Sequence, residues 1–170
     1  MLSSRDETGV TTGAFNHRYF AEWFASALAD QARPRSPISL LRFDVDDFEQ
    51  INGSVGHRIG NAVLRIVSAS VQRILNPADV LAHGGDAFAV LARDISERNA
   101  AILAERIRRT VHGLPLVAHD KTFHVTVSVG VAWAPGTDPA QASLLVQSAE
   151  RAVRDAKSSG KNRVSTVIVE

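Results

Sequence analysis

The sequence contains no cysteine, which excludes disulfides, thiol nucleophiles and cysteine-ligated zinc. It has one methionine and one tyrosine, and aromatic residues make up only 6% of it. Net charge is scarce too: 19 Lys and Arg stand against 18 Asp and Glu, leaving +1 with histidine neutral. A chain so nearly balanced does not hold nucleic acid or an anionic membrane through bulk charge. No apolar run approaches the roughly 18 residues that a membrane-spanning helix needs. The opening MLSSRDETG lacks the basic-then-apolar layout of a signal peptide. These absences lead us to expect a cytoplasmic protein, with no nucleic-acid partner and no membrane insertion. What remains is an ordinary composition, 170 residues with 45% hydrophobic and 22% charged, enough for one domain with a substantial core.

Periodicity divides the chain. Residues 1–15 are polar and Gly/Thr-rich, a lead-in segment. From Asn16 a helical spacing begins, with Phe20, Trp23, Phe24, Ala27 and Leu28 on one face, ended by the prolines of ARPRSP. ISLLRFDV (38–45) has the nearly continuous apolar character of a buried strand. DDFEQINGSVGHRIG breaks the pattern with Gly53, Gly56 and Gly60. A helix with Val63, Val67, Val71 and Ile74 on one face follows, stopped by Asn76-Pro77. LAHGGDAFAVLA predicts a tight hairpin: strand 80–82, turn 83–86 and strand 87–91, with Asp86 at the tip. Ser96 is placed to cap a helix carrying Leu103, Ile107 and Val111. HVTVSVGVAW alternates as a strand, with Val125, Val127, Val129, Val131 and Trp133 pointing one way. A loop at 135–139 leads to a helix carrying Leu145, Ala149, Ala152, Val153 and Ala156; GKNR then turns the chain into a strand at 164–169. The mixture predicts an α/β fold of α+β sandwich type, one sheet with helices packed on it, across residues 1–170 as a single domain.

Several of these residues are suited to chemistry. Asp44 ends a buried strand, and Asp46 lies on the same side if the strand continues that far. They are equally suited to starting the next helix, where the dipole favours acids. If the strand is a sheet neighbour of the hairpin, Asp44 and Asp86 converge. Two carboxylates with a backbone carbonyl make an oxygen-only site suited to Mg²⁺ or Mn²⁺. Gly84 and Gly85 would let a phosphate chain approach the backbone, although a plain Gly-Gly hairpin with a solvated Asp is also common. Lys157, Lys161 and Arg163 are cations available to a triphosphate, or simply a helix C-terminus with favourable charge. His57 reads more readily as a hydrogen-bonding group than as a metal ligand.

Together FDVDDFEQINGSVGHRIGN, AHGGDAF, VTVSVGVA, RDAKSSGKNRV and TTGAFNHRYF resemble, in order and spacing along almost the whole chain, the GGDEF family of diguanylate cyclase domains. The resemblance implies a central five-stranded, mainly antiparallel sheet flanked by helices, like nucleotidyl cyclases and polymerase palm domains. It implies a role in bacterial cyclic di-GMP signalling, in which a homodimer joins two GTP molecules. It assigns metal binding to Asp44, the Val45 carbonyl and Asp86. Nucleotide binding falls to Phe48, Glu49, Asn52, Asn61, Gly84, Gly85, Lys157 and Lys161.

The departures matter as much. Ala87 stands where the family has its catalytic glutamate, so no catalytic residue is assigned. Glu49 replaces a lysine that faces the triphosphate. Asn61 replaces an aspartate that reads guanine, unless Asn61 merely caps a helix beginning nearby. Lys161 replaces an arginine, Gly53 an aspartate, and Arg154 a common tyrosine. The resulting expectation is a degenerate, catalytically silent domain that regulates, dimerises or docks a protein partner. It would retain weak or no binding of GTP or another purine nucleotide and of Mg²⁺ or Mn²⁺. The rival expectation is a working diguanylate cyclase with an unusual site.

Overall fold

The computed structural model describes residues 15–16, 22, 24–26, 36–136 and 141–170. In chain order the elements are β1 (Phe15–Asn16), β2 (Ile38–Val45), α1 (Phe48–Val55), α2 (His57–Gln72), β3 (Val80–Gly84) and β4 (Ala87–Arg93). They continue with α3 (Glu97–His112), β5 (Leu116–Ala118), β6 (Lys121–Phe123), β7 (Val127–Ala134), α4 (Ala142–Ser158) and β8 (Val164–Ile168). Glu22 and residues 24–26 are also helical, and Phe24 is buried. The rest of the helix expected there, with Phe20, Trp23, Ala27 and Leu28, lies outside the described residues. So do the lead-in up to residue 14 and much of the loop at 135–139. Asn16, where that helix was expected to begin, is instead strand.

The sheet runs β1-β3-β4-β2-β7-β8. Its five longer strands form the expected mainly antiparallel sheet, and the two-residue β1 adds to one edge. Only β1–β3 and β7–β8 are parallel. β2 lies at the centre, antiparallel to both β4 and β7. This explains its unbroken apolar run: both of its faces are covered.

On one face, Leu41, Phe43, Val45, Phe88, Val90, Val127, Val129 and Val131 pack under Val63, Val67 and Val71 of α2 and Ala104, Ile107 and Val111 of α3. On the other, Ile38, Leu40, Ala89, Leu91, Ala132 and Ala134 pack against Phe24 and against Leu145 and Ala149 of α4. The alternation of β7 therefore separates two buried faces rather than a core from solvent. Gly130 marks the closest approach of α4: a Cβ there would stand 2.4 Å from Val153 N and 2.5 Å from Ala149 O.

Ser96 caps α3 as expected, accepting from Asn99 N–H at 3.2 Å. Three local expectations fail. Residues 48–55 form helix α1, running through Gly53, rather than a glycine-broken connection. α2 begins at His57, so Asn61 sits inside it and does not cap it; the N-cap is Gly56. α2 also ends at Gln72, leaving Ile74 in the following turn, still packed on the core. The small β5–β6 hairpin was not foreseen. Its turn holds His119 and Asp120 at positive φ, without the glycine or asparagine that usually signals such a turn.

Candidate nucleotide and metal site

The site is built where β2 ends. Asp44 pairs in register with Ala87 on β4 and with Ser128 on β7. The hairpin tip folds over this point. Gly84 pairs with Ala87, so the connection is the two residues Gly85 and Asp86, and Gly85 takes φ +62. Glycine at the first position of such a two-residue loop is what a type II′ turn requires. Val45 N–H donates to the Asp86 carbonyl at 3.2 Å. Asp44, Val45 and Asp86 are thus brought together, and Ala87 presents its methyl on the same face as the Asp44 carboxylate.

The chain then leaves the sheet at Val45, so Asp46 does not continue alongside Asp44, and the acids lead into the next helix, the other of the two readings. Asp47 adopts a left-handed conformation at the start of α1. Asp46 turns inward and is 6% exposed. Its Oδ1 accepts from Ser128 Oγ at 2.6 Å, and its Oδ2 accepts from Thr126 Oγ1 at 2.6 Å and from Asn162 N–H at 3.0 Å. A buried carboxylate with three donors is a structural tie. It joins the end of β2 to the start of β7 and to the turn after α4.

The end of α4 and that turn carry the cations. α4 closes in a Schellman motif, with Lys161 N–H donating to Ala156 C=O and Gly160 N–H to Lys157 C=O. Gly160, Lys161 and Asn162 all have positive φ, which folds the segment back over β2. Lys157 Nζ donates to Asp44 Oδ2, and Lys161 Nζ donates to Asp47 Oδ1. The bond to Asp47 holds the Lys161 ammonium above its usual pKa. Two turns of helix before Lys157, Arg42 on β2 pairs with Glu150 on α4 at 3.2 Å. From α3, Arg108 donates to Asn162 Oδ1 at 2.8 Å while clasping Glu105.

On the other side stand α1 and α2. Glu49 is exposed in the first turn of α1, where the helix dipole favours an acid. Phe48 is half-buried and packs on the core. Asn52 lies over Gly60: a Cβ at residue 60 would stand 1.8 Å from Asn52 Oδ1. That oxygen is buried and, among the described residues, accepts no hydrogen bond. Asn61 follows directly on α2 and is half-buried, and His57 is exposed. Sequence reasoning missed the ties made by Asp46, Thr126, Ser128 and Asn162. The polar positions of VTVSV were the available signal for them.

The donor set suits one hard cation, since it consists of carboxylate and carbonyl oxygens. No cluster of three or more His, Cys, Asp or Glu occurs among the described residues. The unpaired Asn52 oxygen is an acceptor for an amino or imino N–H.

The family model described as "Diguanylate cyclase, GGDEF domain" matches residues 8–163. The chain belongs to the GGDEF family. Among curated relatives it is 35% identical over 160 residues to Response regulator PleD of Caulobacter vibrioides, covering 92% of this chain and 35% of that protein. It is 34% identical over 165 residues to Diguanylate cyclase DosC of Escherichia coli, covering 95% and 35%. The chain thus spans about a third of the length of these relatives. Among solved structures, the GGDEF domain of DgcB from Caulobacter crescentus, in complex with c-di-GMP, aligns with a TM-score of 0.87 at 26% identity, covering 98% of each chain. Diguanylate cyclase SiaD from Pseudomonas aeruginosa, in complex with its activator SiaC, aligns with a TM-score of 0.84 at 28% identity, covering 98% of this chain and 63% of that one.

Proposed function

We propose that the chain is one degenerate GGDEF domain of bacterial cyclic di-GMP signalling, acting in the cytoplasm as a regulatory, dimerising or partner-docking module rather than as a cyclase. The observation that carries the reading is the pairing of Ala87 with Asp44. A carboxylate at residue 87 would project beside Asp44, where it could bind a cation or take a proton. A methyl group does neither.

Asp44, Asp86 and the Val45 carbonyl would hold Mg²⁺ or Mn²⁺. A cation there would offset the charge of a bound triphosphate and polarise its phosphate oxygens. The chain's own groups weaken this site. Lys157 already neutralises Asp44, and Lys161 neutralises Asp47. Glu49 adds an anion on the side where the resemblance places a phosphate-binding lysine. Asn52 and Asn61 remain for a purine base, but an asparagine at 61 offers one acceptor and one donor to guanine's two donors. GTP or another purine nucleotide therefore binds weakly.

The retained Asp44 and Asp86 favour the second reading, a working cyclase. Incubating the chain with GTP and Mg²⁺ or Mn²⁺, with chromatography of the products, decides between them. The proposal expects no cyclic di-GMP; sustained product formation overturns it.

A further inference from the structure

β8 is the last strand of the sheet, and among the described residues no strand pairs with its outer rim. Val129 N–H donates to Arg163 C=O at 2.9 Å, and Val169 N–H donates to Trp133 C=O at 2.8 Å. In this parallel ladder Ser165 and Val167, opposite Gly130 and Ala132, direct their N–H and C=O groups toward β7. Val164, Thr166 and Ile168 therefore direct theirs outward. Among the described residues no donor or acceptor meets them. Proteins usually blunt such a rim with lysine, proline, a bulge or a covering element. β8 reads VSTVI, without charge or proline. Thr166 is exposed, and Ile168 is 49% exposed.

We propose that two copies of this chain pair through β8, antiparallel and in a single register centred on Thr166, so that the sheet continues across a two-fold axis. The outward-facing residues are spaced symmetrically about Thr166, as a self-complementary contact demands. Thr166 meets Thr166 of the partner subunit, and Val164 meets Ile168 of the partner subunit. Each is a hydrogen-bonded pair exchanging two N–H···O=C bonds, so three pairs supply about six. The side chains match as well: Val164, Thr166 and Ile168 share one face, setting apolar groups opposite apolar groups on either side of a threonine pair. Charge selects the direction. Exposed Arg163 precedes the strand and exposed Glu170 follows it. In this register Arg163 falls opposite Val169 of the partner subunit, one residue from Glu170 of the partner subunit, so antiparallel pairing sets the cationic end of each strand at the anionic end of the other, whereas parallel pairing sets like charges together.

In this assembly the turns carrying Lys161 lie at opposite ends of the paired strands, so the two Asp44 sites do not face each other. The assembly needs no nucleotide, and its test is independent of whether the chain makes cyclic di-GMP.

The test is sedimentation velocity from about 10 μM to about 1 mM, the range of weak association, with amide hydrogen exchange at both ends of that range. The expected result is a doubling of mass on concentration. The Val164, Thr166 and Ile168 amides gain protection with it, while the Ser165 and Val167 amides are protected throughout. Thr166→Pro removes only an outward N–H, which an edge strand tolerates. It should leave the circular dichroism unchanged and weaken dimerisation at least tenfold. Thr166→Lys, which opposes two ammonium groups at the two-fold axis, should do the same. A chain that stays monomeric across the range overturns the proposal, as does a dimer that neither variant weakens.

Discussion

Asp46 and Asp44 are two residues apart and differ completely in what they do. Asp46 spends its oxygens on Ser128, Thr126 and Asn162, three donors from two other segments. Hydrogen bonds to a charged acceptor are each worth about 1.5–3 kcal/mol, and stranded donors add to the loss. Asp46→Ala should therefore destabilise the fold by about 3 kcal/mol in urea denaturation. Asp44→Ala should cost much less, because that carboxylate's single described partner is a lysine with a half-exposed side chain. Lys157 gives a second prediction. Its ammonium competes with any divalent cation for Asp44, so Lys157→Ala should tighten Mn²⁺ binding in a calorimetric titration. Weaker or unchanged Mn²⁺ binding would separate Asp44 from the metal site. The sequence alone showed acids clustered at a strand end. It did not show which acid was structural, because that depends on Thr126, Ser128 and Asn162, some 80 or more residues away.

At the scale of elements, α4 and β7 are held together by the absence of a side chain. Gly130 lets the backbone of α4 approach within contact distance, and a Cβ there would meet backbone atoms rather than movable side-chain ends. Overpacking of this kind costs about 1–3 kcal/mol. Gly130→Ala should lower the urea midpoint accordingly and loosen the end of α4 and the turn after it, which carry Lys157 and Lys161. α3 contributes a pH dependence. Arg108, and secondarily Arg109, hold the Glu105 carboxyl at about 2, below its ordinary value. A depressed acid stabilises the fold above its unfolded pKa of roughly 4.3, and that contribution is lost as pH falls toward 2. Denaturation midpoints of the native chain and of Glu105→Gln should therefore differ at pH 6 and converge at about pH 2. The pair is partly solvated, so the gap is small. Periodicity revealed β2, α2, β4, α3, β7 and α4 because each buries a regular set of apolar residues, whereas β8, which has no fully buried residue, followed from the GKNR turn before it. It missed α1, whose residues are largely exposed and which runs through Gly53, and it missed the β5–β6 hairpin, whose turn lacks the usual residues.

For the molecule as a whole, the fold is that of the GGDEF family although residue 87 of its GGDAF turn is alanine. Both apolar faces of the sheet, the Gly85–Asp86 turn and the α4 turn are intact, and the likeness to the DgcB domain covers nearly every residue. None of these features requires a carboxylate at residue 87 or a cation at residue 49, because both positions lie outside the core. Loss of function at such positions costs the fold little. We propose that the chain keeps the architecture of a cyclase without its reaction. The most direct measurement is cyclic di-GMP formation from GTP and Mn²⁺ by the native chain beside Ala87→Glu, read by chromatography at high protein concentration. No product is expected from the native chain, and none from Ala87→Glu alone because Glu49 still opposes the triphosphate. Steady turnover by the native chain would contradict this proposal.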